Sequence, residues 1–165
     1  MSAEKKKQMG VLGLVIALVV VLFGSILFVG AVSGWFDSGK VALDAEYVCG
    51  GNCDGEYMEL DAAGYQELVE TQKSFIVFVD QGGCTTADKL RGFVADYARE
   101  KGIKVYRMMF EQVKESSLHE YVKYYPSVAM VSKGHVVGYL RADSDEDANA
   151  YNDYTAFQGW MGRYW

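Results

Sequence analysis

Proline, histidine and cysteine are all scarce in this 165-residue chain, which has one, two and three of them. The histidines, His119 and His135, are isolated, and the cysteines are scattered at positions 49, 53 and 84. The paired spacing that structural zinc requires is therefore missing, and no metal is expected. A basic surplus is missing too. Lys and Arg number 16 against 22 Asp and Glu, a formal net charge of −6, and no basic stripe runs along any segment. That balance argues against nucleic acid as a partner. The acids of Asp143-Ser144-Asp145-Glu146-Asp147 alternate as in a calcium loop, but Ala148 stands where the loop glycine belongs and Tyr154 where the bidentate acid belongs. They read as a solvated acidic loop. No internal repeat is present, and no cofactor is expected.

Charge is absent from residues 9–36, and Val11 to Val32 is dominated by Val, Leu, Ile and Phe. The run is long enough to span a bilayer. The apolar core of a cleaved signal peptide is shorter, although Val29-Gly30-Ala31 offers a cleavage site and keeps that alternative open. No cysteine lies near the end of the run, so a lipoprotein anchor is unsupported. The first eight residues hold Lys5, Lys6, Lys7 and Glu4, which leaves 13 basic and 21 acidic side chains, or −8, in the remainder. A basic stub before the span and an acidic domain after it place the N-terminus in the cytoplasm and the domain outside. The expected organisation is a cytoplasmic stub at 1–8, a transmembrane helix at 9–33, a linker with a cysteine-containing hairpin at 34–55, and a folded domain at 56–165.

That domain is organised around Phe75-Ile76-Val77-Phe78-Val79, an unbroken apolar run that reads as a strand buried on both faces. Gly82 and Gly83 then allow a tight turn, and Cys84 or Thr85 caps a helix whose apolar face is Leu90, Phe93, Val94, Tyr97 and Ala98. Lys101-Gly102 ends it. Before the central strand, Asp61 caps a helix with Tyr65, Leu68 and Val69 inward. Beyond it, Lys104 to Phe110 predicts a strand. Ser117-Leu118-His119-Glu120 fits a capping box for a third helix with Leu118, Tyr121, Val122 and Tyr125 inward. Ser127 to Val131 and Val136 to Leu140 form a β-hairpin around Ser132-Lys133-Gly134-His135. A final helix carries Phe157, Trp160, Met161 and Tyr164. The predicted order is β-α-β-α-β-α-β-β-α, an α/β sheet with helices on both faces.

That order, a cysteine after the second strand and the single proline, Pro126, opening a terminal hairpin together resemble the thioredoxin fold over about residues 56–165. The step Tyr125-Pro126-Ser127-Val128, followed by Lys133 to Gly138, looks like the stretch around that family's cis-proline. The resemblance implies a cis Tyr125–Pro126 bond beside Cys84, with the Tyr125 backbone able to pair with an extended substrate. It also exposes departures. Cys84-Thr85-Thr86-Ala87 occupies the place of Cys-x-x-Cys, with Ala87 where the second cysteine belongs. Phe78 stands where thioredoxins carry a buried acid, and Gly83 where they carry tryptophan.

Cys84 is the candidate nucleophile: a thiolate favoured by a helix N-terminus attacks a disulfide or a sulfenic acid. Its plainer reading is a remnant in a fold that kept its shape and lost the reaction. No His, Lys or Arg adjoins it; Lys89 and Arg91 lie further along the helix. Thr85 and Thr86 are expected to cap the helix and solvate the thiolate, and Tyr125 and Pro126 to dock substrate. Cys49 and Cys53 read as a small structural disulfide, or one of them folds over Cys84 as a resolving thiol. The expected function is a monothiol thiol-disulfide oxidoreductase lacking the second active-site cysteine, acting on protein thiols or disulfides of the envelope and held to membrane lipid by its N-terminal helix. The alternative is a non-catalytic module that binds peptide or protein in the same groove.

Overall fold

The computed structural model of the chain describes residues 40–50 and 53–165. The expected membrane span at 9–33 and the tip of the cysteine loop, Gly51-Asn52, lie outside the described residues. Among the described residues no helix is long and apolar enough to cross a membrane.

Five strands form one mixed sheet in the order β1-β3-β2-β4-β5. Strands β1 (Tyr57–Glu59), β3 (Val105–Met109) and β2 (Phe75–Asp80) run parallel, while β4 (Ser127–Ser132) and β5 (His135–Tyr139) continue the sheet antiparallel. The central position of β2 explains its composition. Phe75 through Val79 are each wholly inaccessible, because helices cover the sheet on both sides. Burying such side chains contributes about 1.5–3 kcal/mol each.

Alternation along the strands divides the interior into two layers. Ile76, Phe78, Val128 and Met130 face α2 (Thr85–Lys101) and α4 (Tyr154–Met161), meeting Leu90, Val94, Phe157 and Trp160. Phe75, Val77, Ala129 and Val131 point the other way, toward Tyr65 of α1 (Ala62–Glu70) and Val113 of the short helix α3 (Phe110–Val113). Local signals place the helix ends. The Asp61 side chain accepts from Gly64 N–H and the Asp153 side chain from Ala156 N–H. Gly102 stops α2 in the left-handed region, at φ 62°.

Three expectations need correction. The linker and hairpin expected at 34–55 join the folded domain where they are described: the compact unit starts at Lys40, and Val41 and Tyr47 are buried in its core. The helix expected after Ser117 is reduced to a 3-10 turn, Ser117–Glu120. Leu118 and Val122 are buried as expected, but Tyr121 is exposed and the chain unwinds ahead of Pro126. A proline disfavours helical backbone in the residue before it, and the chain must be extended to enter β4. The acidic loop is also not wholly solvated. Asp147 is buried, accepts from Arg141 N–H at 3.1 Å and pairs with Arg163 at 3.3 Å.

Candidate functional site

Strand β2 ends at Asp80, in register with Met109 of β3, and one residue earlier Val79 lies opposite Ser127 of β4. The chain leaving β2 and the chain entering β4 therefore meet at the same end of neighbouring strands. The first carries Gln81-Gly82-Gly83-Cys84, and the second carries the Tyr125–Pro126 peptide bond, which is cis. Gly83 takes φ 75°, a conformation that glycine adopts without a side-chain clash. Cys84 is the N-cap residue of α2, its carbonyl accepting from Asp88 N–H at 3.0 Å, and it is a free thiol of intermediate exposure.

Thr85 and Thr86 are exposed on the first turn, and no side-chain bond caps the helix from Cys84. Ala87, three residues after Cys84 in the first turn of the helix, is wholly buried and holds only a methyl group. Pro126 is buried, and its carbonyl accepts from the Tyr151 hydroxyl at 3.1 Å. Tyr125 is half-buried with its ring 5.8 Å from that of Phe110, and among the described residues no turn or loop hydrogen bond uses its backbone N–H or C=O. Those backbone groups are the ones an extended ligand strand would need.

The feature least visible in sequence lies beneath this edge. Phe78 is apolar and buried, but Asp80, two residues on and on the same face, is a buried acid with no accessible surface. Arg91 of α2 grips it with both arms of its guanidinium, at 2.9 and 2.8 Å, and Arg107 of β3 adds a third bond at 2.8 Å. Arg91 also pairs with Asp88 at 2.8 Å, and Arg107 with Glu59 at 3.2 Å. Burial opposes ionisation of Asp80, but the hydrogen bonds from Arg91 and Arg107 outweigh it and hold the carboxyl below the usual carboxylate range. The sequence did carry a signal. Arg107 sits between Tyr106 and Met108 in a strand that alternates faces, and an arginine so placed needs an acid across the sheet.

The cysteines at 49 and 53 form a disulfide with Cα atoms 5.6 Å apart. Cys49 N–H donates to Gly102 O at 2.7 Å, and Val48 bridges Ile103, so the pair is moored at the C-terminal end of α2. Cys84 opens that same 17-residue helix, which is about 25 Å long. Neither sulfur of the pair reaches Cys84 in this arrangement. A fold-over resolving thiol is not what the geometry brings together.

Hollows of about 440 Å³ occur beside Tyr97, Lys101 and Trp165 and beside Glu59, Asp61 and Gln112, and Cys84 lines neither. Among the described residues no cluster of His, Cys, Asp and Glu could hold a metal ion.

The strand order, the cis-proline and the helix that starts at a cysteine define the thioredoxin fold. No protein-family model matches the sequence, and a comparison with curated protein sequences finds none that matches. Solved structures do match. The oxidised thioredoxin of Plasmodium falciparum aligns with a TM-score of 0.50 at 13% identity, over 66% of this chain and 97% of that one. A mutant thioredoxin from Halobacterium salinarum aligns at 0.49 and 13%, over 70% and 96%. A thioredoxin of Trypanosoma brucei brucei aligns at 0.48 and 7%, over 67% and 96%. At such identities the likeness speaks for the fold alone.

Proposed function

We propose that this chain is a membrane-anchored, extracytoplasmic thioredoxin-fold protein that performs monothiol thiol-disulfide exchange through Cys84. One observation carries the reading: a free, partly exposed cysteine caps α2 at the sheet end where the cis Tyr125–Pro126 bond enters the neighbouring strand. The Cys84 thiolate attacks one sulfur of a substrate disulfide. A new S–S bond forms between Cys84 and that sulfur, and the other substrate sulfur leaves as a thiolate that takes up a proton. Ala87 supplies no second thiol, so a thiol of the envelope must attack the mixed disulfide and release Cys84. Thr85 and Thr86 flank the thiolate, while Pro126 and the Tyr125 backbone hold the substrate strand. The anchoring rests on the uncharged run at 9–36 and the lysines before it.

A second reading is favoured by the exposure of Tyr124, at 55%, and of Tyr121, close to Pro126 in sequence. Aromatic side chains left in solvent beside a cis-proline suit a module that binds peptide without reacting with it. Trapping separates the two. Cells expressing the full chain are quenched with acid, alkylated and resolved without reductant. Adducts that disappear on reduction and are lost in Cys84→Ser support exchange. Partners recovered equally with Cys84→Ser support binding alone. Protease accessibility in intact spheroplasts tests the orientation: the domain is expected to be digested and the stub protected.

A further inference from the structure

We infer that Arg91 is a positioning residue: by gripping Asp80 it pins the opening turns of α2 to the end of β2, and so fixes the Cys84 sulfur against the edge that holds Pro126. The inference rests on the reading of Cys84 as a nucleophile and adds to it the residues that aim the thiol.

The segment that carries Cys84 has little of its own to hold it. Gly82 and Gly83 are exposed, and a Cβ built on Gly83 meets nothing within 4 Å. One bond of 3.3 Å, from Cys84 N–H to Gln81 O, closes the turn, and no side-chain cap adds to it. Both flanks, by contrast, are fixed. Asp80 belongs to the sheet, in register with Met109, and Arg91 lies seven residues beyond Cys84. A planar guanidinium forked onto a carboxylate sets both distance and direction, which a point charge does not. Burial of Ala87 and Leu90 and the bond from the Tyr57 hydroxyl to Arg91 O at 2.6 Å also hold the helix on the sheet, but apolar contacts are non-directional and that bond is a single one, so the two-pronged fork is the contact that sets direction.

Asp80 serves in this arrangement as an anchor, not as a proton carrier. The charged and titratable groups facing it are Arg91 and Asp88 from α2, Arg107 from β3, and Glu59 and Tyr57 from β1. Three charge-assisted bonds from two cations hold it ionised. A carboxylate that stays ionised neither takes a proton from the attacking thiol nor returns one to the departing sulfur.

The test compares the full chain with Arg91→Met, Arg91→Lys and Asp80→Asn. Cys84 is reacted from pH 4 to 9 with 5,5′-dithiobis(2-nitrobenzoate), which needs no docking edge, and with a peptide mixed disulfide, which does. In Arg91→Met the peptide reaction is expected to slow by about tenfold or more, and the small-probe reaction to change by less than about threefold. Arg91→Lys, which keeps the charge but not the fork, is expected to recover only part of the loss. Amides of Asp88 to Gly92, the first that are hydrogen-bonded within the helix, should exchange hydrogen about tenfold faster in Arg91→Met. Asp80→Asn, which removes the other half of the fork, should slow the peptide reaction to a similar degree.

Unchanged exchange and unchanged peptide reaction in Arg91→Met overturn the inference. So does a peptide reaction that stays at the natural rate in Asp80→Asn, which lacks the anchor. If Arg91→Met fails to fold, Arg91→Lys gives the same comparison. If the natural Cys84 shows no preference for the peptide over the small probe, the nucleophile reading fails, and amide exchange alone still decides whether Arg91 pins the helix.

Discussion

The two ends of α2 treat sulfur in opposite ways. At the C-terminal end Cys49 and Cys53 are bonded to each other, and the chain around them is tied down by Gly102, Ile103 and Arg99, whose Nε donates to Asp54 O at 3.2 Å. At the N-terminal end Cys84 is alone and partly exposed, on a glycine turn closed by one backbone bond. The difference follows from the residues that surround each sulfur. Among the described residues of the paired segment, Cys49 N–H is committed to Gly102 O and Asp54 O to Arg99 Nε. Around Cys84 the uncommitted groups are the helix N-terminus and the Tyr125 backbone, and the partner to which the helix dipole and free N–H groups are suited is an anion or an extended strand.

The sharpest way to break this contrast is to give the N-terminal end a pair of its own. Ala87→Cys places a thiol one turn from Cys84 at a wholly buried position. Its thiolate would attack the mixed disulfide from within the molecule, and trapped adducts should shorten in lifetime by roughly a thousandfold, the advantage of an intramolecular nucleophile. The added sulfur is expected to cost about 1 kcal/mol of stability from crowding, which a thermal unfolding scan would report. Adducts that persist as in the natural chain would mean that position 87 does not face the reacting sulfur.

Next in size is the loss of the ionic anchor. Asp80→Asn leaves Arg91 and Arg107 without their shared carboxylate. Breaking a buried pair costs about 3–5 kcal/mol, and because the arginines are roughly a third exposed the lower figure, about 3 kcal/mol, is expected in urea unfolding. The pH dependence has a definite sign. The folded pKa of Asp80 is below its unfolded value, so its ionisation stabilises the fold fully above about pH 4 and is lost as pH falls through the folded pKa. The natural chain should therefore lose stability below about pH 4 more steeply than Asp80→Asn does. Parallel acid-unfolding curves would remove Asp80 from the account.

Whether a residue's role is legible in the sequence depends on whether that role is local. Phe75 to Val79 announced a covered strand because an unbroken apolar run has no solvent face to spare, and Asp61 and Gly102 marked helix ends because caps act within one turn. Cys84 and Pro126 were legible as candidates because each stands at a boundary between elements. Asp80 was not, because an acid after a strand usually turns outward. It is held inward by Arg107, 27 residues away, and Arg91. The shortened helix after Ser117 failed for a related reason: the capping pattern is local, whereas the need to be extended at Pro126 comes from the strand pairing beyond it.

The smallest expected effect sharpens the contrast from the other end. Cys49→Ser with Cys53→Ser removes a cross-link over four residues of sequence separation, worth at most about 2 kcal/mol by loop entropy. The folded segment should keep its place without the cross-link, since Cys49 N–H still donates to Gly102 O, Lys104 N–H to Tyr47 O and Arg99 Nε to Asp54 O. The reaction of Cys84 with a peptide disulfide should be unchanged, because about 25 Å of helix separates the two sites and nothing in the pair contacts the turn at Gly83. Kinetics of the double variant under oxidising conditions check both statements at once. A fall in Cys84 reactivity beyond about threefold would mean that strain at one end of α2 is felt at the other, which a helix clamped by Asp80 and Arg91 should not transmit.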